Sequence, residues 1–119
     1  MSGYTIMHCD EFERAGPKWG LARKSLGVRS FGMNLVDLQP GEKIPEHDET
    51  PRDQEEVFAF LSGSPTMLID GQEHPAPPGT FVRLSPEPLR TVVNSGDEPA
   101  RFLIISAPTT SGYELLDWC

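Results

Sequence analysis

Glycine and proline interrupt this chain so often that helices of ordinary length have little room to form. The 119 residues contain 12 prolines and 11 glycines, which leave few uninterrupted runs as long as an average helix of about 11 residues. Between the breaks lie short segments rich in β-branched and aromatic residues, namely 31–38, 57–61, 66–69, 80–84, 91–93 and 102–106. Such segments at regular spacing predict an all-β sandwich or barrel.

Two turn sequences indicate how the strands pair. Asp70-Gly71 separates "TMLI" from "QEHP", and this dipeptide favours a tight type I′ hairpin because both of its central residues need positive φ. The stretch 94–99, "NSGDEP", predicts a second hairpin between "TVV" and "RFLII". Two successive hairpins predict an antiparallel sheet.

Length and charge exclude several classes of protein. A chain of 119 residues forms one domain, and no apolar run approaches the roughly 18 residues that a transmembrane helix needs. The formal net charge of −8 disfavours nucleic acid and anionic membranes as partners. We therefore predict a protein that binds neither nucleic acid nor membrane.

The N-terminus and the cysteines bear on the cellular compartment. The stretch "MSGYTIMHCDEFERAG" lacks the basic start and apolar core of a signal peptide. Cys9 and Cys119 lie near opposite ends of the chain, which suits reduced thiols better than a disulfide or a zinc site. We predict a cytoplasmic protein.

Residues 1–29 form an N-terminal segment that we expect to pack on the barrel or on a partner subunit. "CDEFERA" predicts one helical turn capped by Asp10, and "LARKSLGVRS" predicts the start of an edge strand. The stretch from Pro17 to Val36 has no acidic residue but contains four cations, namely Lys18, Arg23, Lys24 and Arg29. They belong either to a solvated or partner-facing edge strand, which we favour, or to an anion-binding lip.

The stretch "EEVFAFL" is largely apolar on both faces of a strand, because successive side chains of a strand alternate. One face has Glu56, Phe58 and Phe60, and the other has Glu55, Val57, Ala59 and Leu61. Both faces should therefore be covered, one by the barrel interior and the other by a second sheet or a second subunit. We predict a homodimer.

One set of spaced residues resembles the first motif of the cupin superfamily. Its members are Gly41, His47, Glu49, Glu56 and Gly63. Glu49 stands where the superfamily has a second histidine. The gap from Glu49 to Glu56 is longer than the superfamily's usual spacing, so that "TPRD" is expected to bulge, and Glu55 is the alternative to Glu56.

A later set resembles the second cupin motif. Its end residues, Gly79 and Asn94, have the separation of that motif, and Ser85, Glu87 and Arg90 replace its proline, glycine and histidine. The chain is therefore identified as a small single-domain member of the cupin superfamily, of the type called a cupin 2 conserved barrel.

The resemblance implies a jelly-roll barrel, or double-stranded β-helix, over residues 30–107. Residues 1–29 would be an N-terminal extension, and residues 108–119 a C-terminal tail. Members of the superfamily often form dimers. Their motif side chains converge inside the barrel, and the equivalents here are His47, Glu49, Glu56 and Arg90.

The residue types at these positions allow two kinds of pocket. A divalent ion accepts imidazole nitrogen and carboxylate oxygen, so His47, Glu49 and Glu56 would supply three ligands. Arg90 argues against a metal, since a guanidinium stays protonated, has no lone pair and repels a cation. It would instead pair with a buried carboxylate. We favour a pocket without a metal and keep a divalent metal as the alternative.

Two classes of function follow from these pockets. The first is a binding module for a small, acidic organic ligand, with Phe58 and Phe60 as apolar walls and Arg90 as the cationic group. The second is an enzyme that uses a metal held by His47, Glu49 and Glu56, or a glutamate as general base. The resemblance to cupins implies a dioxygenase, an isomerase or a decarboxylase for this second class. We favour the first class. The sequence identifies neither the ligand nor any catalytic residue.

Overall fold

Nine β-strands and one short α-helix make up the regular structure of residues 3–119, the part of the chain that the computed structural model describes. The strands are β1 Arg14–Ala15, β2 Trp19–Gly20, β3 Gly32–Leu38, β4 Gln54–Ser62, β5 Thr66–Ile69, β6 Gln72–Pro75, β7 Phe81–Leu84, β8 Arg90–Val93 and β9 Ala100–Pro108. The helix, α1, spans Ala22–Leu26, and a 3₁₀ turn spans Cys9–Glu11. None of the helical segments in this part of the chain is long and apolar enough to cross a membrane.

The strands form two antiparallel sheets. The large sheet has the order β1-β2-β3-β9-β4-β7, and the small sheet has the order β6-β5-β8. The chain before β4 runs alongside β8, with isolated bridges from Lys43 to Val93 and from His47 to Arg90. The predicted all-β jelly roll is confirmed.

The core lies between the sheets and is filled by alternate side chains of their strands. Phe58 and Phe60 of β4 pack against Phe102 of β9, with ring centroids 5.1 to 6.5 Å apart. Met67 and Val92 of the small sheet belong to the same buried cluster. The two sheets therefore share one hydrophobic core, in which the aromatic rings contribute packing beyond their buried area.

The two predicted hairpin turns have different outcomes. Asp70 and Gly71 have φ angles of 50° and 79° and connect β5 to β6, which confirms the first hairpin. The second prediction is wrong: residues 94–99 cross between the sheets, because β8 pairs with β5 whereas β9 pairs with β3 and β4. Buried Asn94 stabilises this crossover by donating from Nδ2 to the carbonyl oxygen of Leu38 over 3.0 Å.

The N-terminal segment contains a helix where an edge strand was expected. "LARKSLGVRS" includes α1 because Ala, Arg, Lys and Leu are strong helix formers. Gly27 then ends the helix with a φ of 79°. The helical turn expected in "CDEFERA" is present, but its cap is His8 rather than Asp10: Nδ1 of His8 accepts from the Asp10 backbone N–H over 3.0 Å.

Gly63, the last residue of the first motif, is needed for steric reasons. Its φ is 80°, and a Cβ atom there would lie 2.5 Å from the carbonyl oxygen of Pro99 and 2.7 Å from Cα of Ala100. Any larger residue would push β4 away from the start of β9. The glycine therefore maintains the pairing of the two longest strands.

Candidate functional site

Backbone pairing brings the two motifs together. His47 N–H donates to the carbonyl oxygen of Arg90 over 3.1 Å, and Arg90 N–H donates to that of His47 over 2.8 Å. Glu56 lies near the start of β4, on the same inward face as Phe58. The structure thus brings His47, Glu49 and Glu56, here called the trio, to one place, with a donor atom of each within 4.8 Å of the others.

Burial shows which of the two adjacent glutamates, Glu55 or Glu56, faces the interior. Glu56 is 7% exposed. Glu55 is exposed on the other face of β4, where it accepts from Nε of Arg83 over 2.7 Å. Strand alternation therefore assigns Glu56 to the interior.

His47 is oriented by its own loop. Nδ1 lies 2.8 Å from the carbonyl oxygen of Pro45, an acceptor, so this nitrogen donates. Nε2 then faces Oε2 of Glu49 at 3.2 Å. A ring nitrogen held by a backbone carbonyl in this way leaves the other nitrogen available to a proton or to a ligand.

Arg90 lies behind the trio and neutralises Glu56. Its guanidinium is fully buried; Nη1 donates to Oε1 of Glu56 over 3.2 Å, and Nη2 donates to the carbonyl oxygen of Ser85. Nε of Arg90 has no hydrogen-bond partner among residues 3–119. The cation is thus held by two acceptors, and Glu56 has a permanent counter-ion.

Arg52 neutralises Glu49, a role that the residue types alone did not predict. Nε and Nη2 of Arg52 donate to the two carboxylate oxygens of Glu49 at 3.1 and 2.7 Å. Arg52 belongs to "TPRD", the stretch that lengthens the spacing between Glu49 and Glu56. A turn at 50–53 folds its side chain back onto Glu49. The unusual spacing was the one available signal.

The pKa values of the two carboxylates of the trio are shifted in opposite directions. The hydrogen bond from Arg52 lowers the pKa of Glu49 below its ordinary value. Burial, followed by repulsion from Glu49, raises the pKa of Glu56 despite the nearby charge of Arg90. Adjacent acids whose pKa values are driven apart are suited to different roles in proton transfer.

A cavity of about 470 Å³ opens onto the trio. Its lining includes all three residues of the trio together with side chains from the N-terminal segment, β3, β4 and β9. The additional residues are Trp19, Leu21, Arg23, Lys24, Gly32, Met33, Asn34, Arg52, Gln54, Ile104 and Ser106. Such a volume fits a small organic molecule.

Three residues expected in this pocket do not line it. Phe58 and Phe60 were expected as apolar walls, but they lie further along β4, where stacking on Phe102 places them in the core. Arg90 is completely buried, and its guanidinium contacts the trio through Glu56. The apolar part of the wall is instead supplied by residues such as Trp19 and Ile104.

The trio fits a divalent ion by donor type and spacing. One imidazole nitrogen and two carboxylates suit a borderline or hard cation, and the bond from Nδ1 of His47 to Pro45 leaves Nε2 free to coordinate. Binding would require the exposed side chain of Arg52 to leave Glu49. The same residues thus suit two states, one neutralised by arginines and one by a metal.

The chain belongs to the cupin family. The sequence profile of the family described as "Cupin domain" matches residues 34–106, which include most of β3, all of β4 to β8 and most of β9, and therefore both motifs. The expectation drawn from the motif spacing is confirmed.

Two relatives of known name match part of the chain. The chain is 37% identical over 73 residues to a glucose-6-phosphate isomerase of Pyrococcus horikoshii and 36% identical over 73 residues to that of Pyrococcus abyssi. Each match covers 57% of this chain and 38% of the relative, so the chain spans about two-fifths of the length of these proteins.

The fold is similar to those of solved cupins. A cupin protein from Bacteroides fragilis has a TM-score of 0.79 at 24% identity, with 98% of this chain and 93% of that chain covered. A sugar phosphate isomerase of the cupin superfamily from Silicibacter pomeroyi has a TM-score of 0.73 at 24% identity, with 88% and 76% covered. At this level of identity the similarity establishes the fold alone.

Proposed function

We propose that this cupin binds a small, acidic organic ligand in the cavity above His47, Glu49 and Glu56. The observation behind the proposal is that the trio converges at the cavity while each of its carboxylates already has a guanidinium partner. Polar groups that are compensated in this way orient a ligand without needing a metal.

The charge of the lining favours an acid over a base. Three cationic side chains and two carboxylates line the cavity, a net charge of +1 with His47 neutral, in a chain whose formal net charge is −8. A local excess of the opposite sign raises the local concentration of an anion and its affinity. A neutral or cationic ligand would gain nothing from this arrangement.

The test is a ligand screen on protein purified without an affinity tag or added metal. Elemental analysis first establishes whether the protein contains metal. Melting curves are then recorded with organic acids, with sugar phosphates and with the neutral analogue of each compound. The acids should raise the Tm, and His47→Ala should reduce this rise while Arg83→Gln preserves it. Equal stabilisation by the neutral analogues would rule out the proposal.

A second candidate function is the isomerisation of a sugar phosphate. Two observations favour it: the matched relatives are named glucose-6-phosphate isomerase, and the pKa values of Glu49 and Glu56 are driven apart. A divalent ion held by His47 and Glu49 would supply a Lewis acid for a substrate carbonyl oxygen. Glu56 is the trio carboxyl better suited to move a proton between neighbouring carbons, because its raised pKa brings it nearer to neutral pH.

An assay of isomerase activity tests this second candidate. It measures the rate at which glucose 6-phosphate is converted to fructose 6-phosphate, with and without added Mn²⁺ or Zn²⁺. Glu56→Gln should lower kcat by roughly a hundredfold or more if Glu56 transfers a proton, whereas Arg83→Gln should leave it unchanged. If Glu56→Gln also loses bound metal, the residue is a ligand instead. If the wild-type protein shows no turnover under any metal condition, the binding function remains.

A further inference from the structure

We propose that Arg52, Arg23 and Lys24, the cationic rim of the cavity, form a subsite for the phosphate group of a phosphomonoester ligand. The inference rests on the proposed function, since it assumes an organic ligand in the cavity. It adds which chemical group of the ligand binds at the rim, and it assigns a role to α1, which lies outside the cupin motifs.

Glu49 orients the guanidinium of Arg52 and leaves part of it free to donate to an anion. Two of its three guanidinium nitrogens are engaged by Glu49, while Nη1 has no hydrogen-bond partner within residues 3–119. The side chain is nevertheless 67% exposed. A guanidinium fixed along one edge loses little conformational freedom when its remaining N–H groups bind a phosphate oxygen. Glu49 thus acts as a positioning residue for Arg52.

Arg23 supplies a charge that no carboxylate among the described residues neutralises. It lies on α1 and lines the same cavity as the trio. Nη1 donates to the carbonyl oxygen of Val28 over 3.2 Å, and no ion pair of Arg23 with any of residues 3–119 is present. Its other guanidinium nitrogens therefore remain available to an anion.

Lys24 is the third cation of the rim and has only a surface partner. Nζ lies 3.1 Å from Oε1 of Glu13, and both side chains are more than half exposed. Exposed ion pairs of this kind contribute little to stability. Exchanging Glu13 for a ligand phosphate therefore costs little, and the strongly hydrated ammonium can bind the phosphate as a point charge.

The charge balance favours a phosphomonoester over a carboxylate. With the buried Arg90 included, and with Lys24 released from Glu13, three arginines and one lysine stand against the two carboxylates of the trio, a net charge of +2. A phosphomonoester brings a charge of about −1.5 to −2 and three acceptor oxygens. A carboxylate brings one charge and two oxygens, and would leave part of the rim uncompensated.

The probe for this subsite is inorganic phosphate, titrated into ¹⁵N-labelled protein against acetate and against sodium chloride at matched ionic strength. Phosphate should give saturable shifts of backbone amides in α1 and residues 50–54 and of the Arg52 Nε signal. Acetate should bind about tenfold more weakly or not at all. Arg52→Gln and Arg23→Gln should each weaken phosphate binding by roughly tenfold, the effect of losing one charge-assisted hydrogen bond.

Arg83→Gln is the matched control. Arg83 is 65% exposed and paired at 2.7 Å with Glu55, but it does not line the cavity. Its substitution should leave the phosphate Kd within about twofold of wild type, because it removes the same charge from elsewhere on the surface. All substituted positions are exposed, and a dispersed amide spectrum verifies that each variant is folded.

The outcomes separate this inference from the proposed function. Phosphate shifts that do not saturate, or an equal loss of affinity in Arg83→Gln, would overturn the subsite. Equal affinity for acetate would overturn it in favour of a carboxylate subsite. If organic acids still stabilise the protein in a manner that depends on His47, the proposed function survives the loss of the subsite. If neither phosphate nor any acid binds, both are wrong.

Discussion

Arg90 donates from Nη1 to Oε1 of Glu56 over 3.2 Å in the interior of the barrel, at the position where the second cupin motif has a histidine. The backbone of Arg90 is also hydrogen-bonded in both directions to His47. The cation therefore occupies the place from which a fourth donor would approach the trio. It makes a state without metal electrostatically acceptable, since Glu56 would otherwise be a buried charge without a partner.

Arg90→Ala should strongly destabilise the fold. Arg90 is completely buried, and the side chain of Glu56 is 9% exposed, so removing the guanidinium leaves a buried carboxylate unpaired. The expected loss in free energy of unfolding is about 3 to 5 kcal/mol, measured by urea denaturation at neutral pH. Arg83→Ala, which removes a surface partner of Glu55, should cost less than about 1 kcal/mol. A similar small loss for Arg90→Ala would contradict the burial of the ion pair.

Arg90→His should increase the affinity of the trio for a divalent ion. The substitution removes a fixed positive charge and adds a nitrogen donor next to Glu56. Calorimetric titration with Zn²⁺ and Mn²⁺ should give a Kd at least about tenfold lower than that of the parent protein, and Arg83→His is the control for an added histidine. A parent protein that binds metal as tightly as Arg90→His would show that Arg90 does not oppose metal binding.

The stability of the protein should depend on pH through Glu56. Because the folded-state pKa of Glu56 is raised above 4.5, its contribution to stability is fully present below the unfolded pKa. The contribution is lost as the pH rises through the folded pKa. The free energy of unfolding of wild type relative to Glu56→Gln should therefore decrease as the pH rises from the unfolded pKa through the folded pKa, measured by urea denaturation from acidic to neutral pH. A difference that is constant or increases with pH would refute the shift.

Glu49 should have the opposite pH dependence. Its folded-state pKa is lowered below 4.5 by Arg52, so its contribution is present above the unfolded pKa and is lost as the pH falls through the folded value. Carboxyl ¹³C signals recorded during an acid titration should show Glu49 protonating at lower pH than Glu56. Arg52→Gln should raise the midpoint of Glu49 and bring the two titrations closer together. Coincident midpoints in wild type would contradict the assignment.

The homodimer stays a prediction, and the structure indicates which surface to test. On the outward face of the large sheet, Leu61 is 48% exposed and Phe81 is 73% exposed, beside half-buried Val57. Burying this face against a second copy would remove apolar area from water. Sedimentation velocity should give a dimer at micromolar concentration, and Phe81→Glu should shift it to monomer, whereas Leu115→Glu in the C-terminal tail should not. A monomeric wild type would exclude the dimer.

Much of the fold could be predicted from local sequence. Alternation in "EEVFAFL" and the positive-φ requirement of Asp70-Gly71 are properties of a few neighbouring residues, and both gave the observed strand and turn. The motif spacing likewise located His47, Glu49 and Glu56 in one site. These features depend on backbone periodicity and on covalent spacing, which a linear sequence contains in full.

Other features depended on partners distant in the chain. Whether residues 94–99 form a hairpin or a crossover depends on which strand pairs with β8, and that choice is made by the packing of the whole barrel. Phe58 and Phe60 were expected to form apolar walls of the pocket. They lie in the core instead, because they stack on Phe102, more than forty positions away in the chain. The guanidinium partner of Glu49 and the approach of α1 to the cavity likewise appear only when the loop and helix are packed. The sequence thus determined most of the strands and the residue types of the site. Tertiary packing decided the electrostatic environment of the site, because Coulomb interactions and burial depend on distances through space.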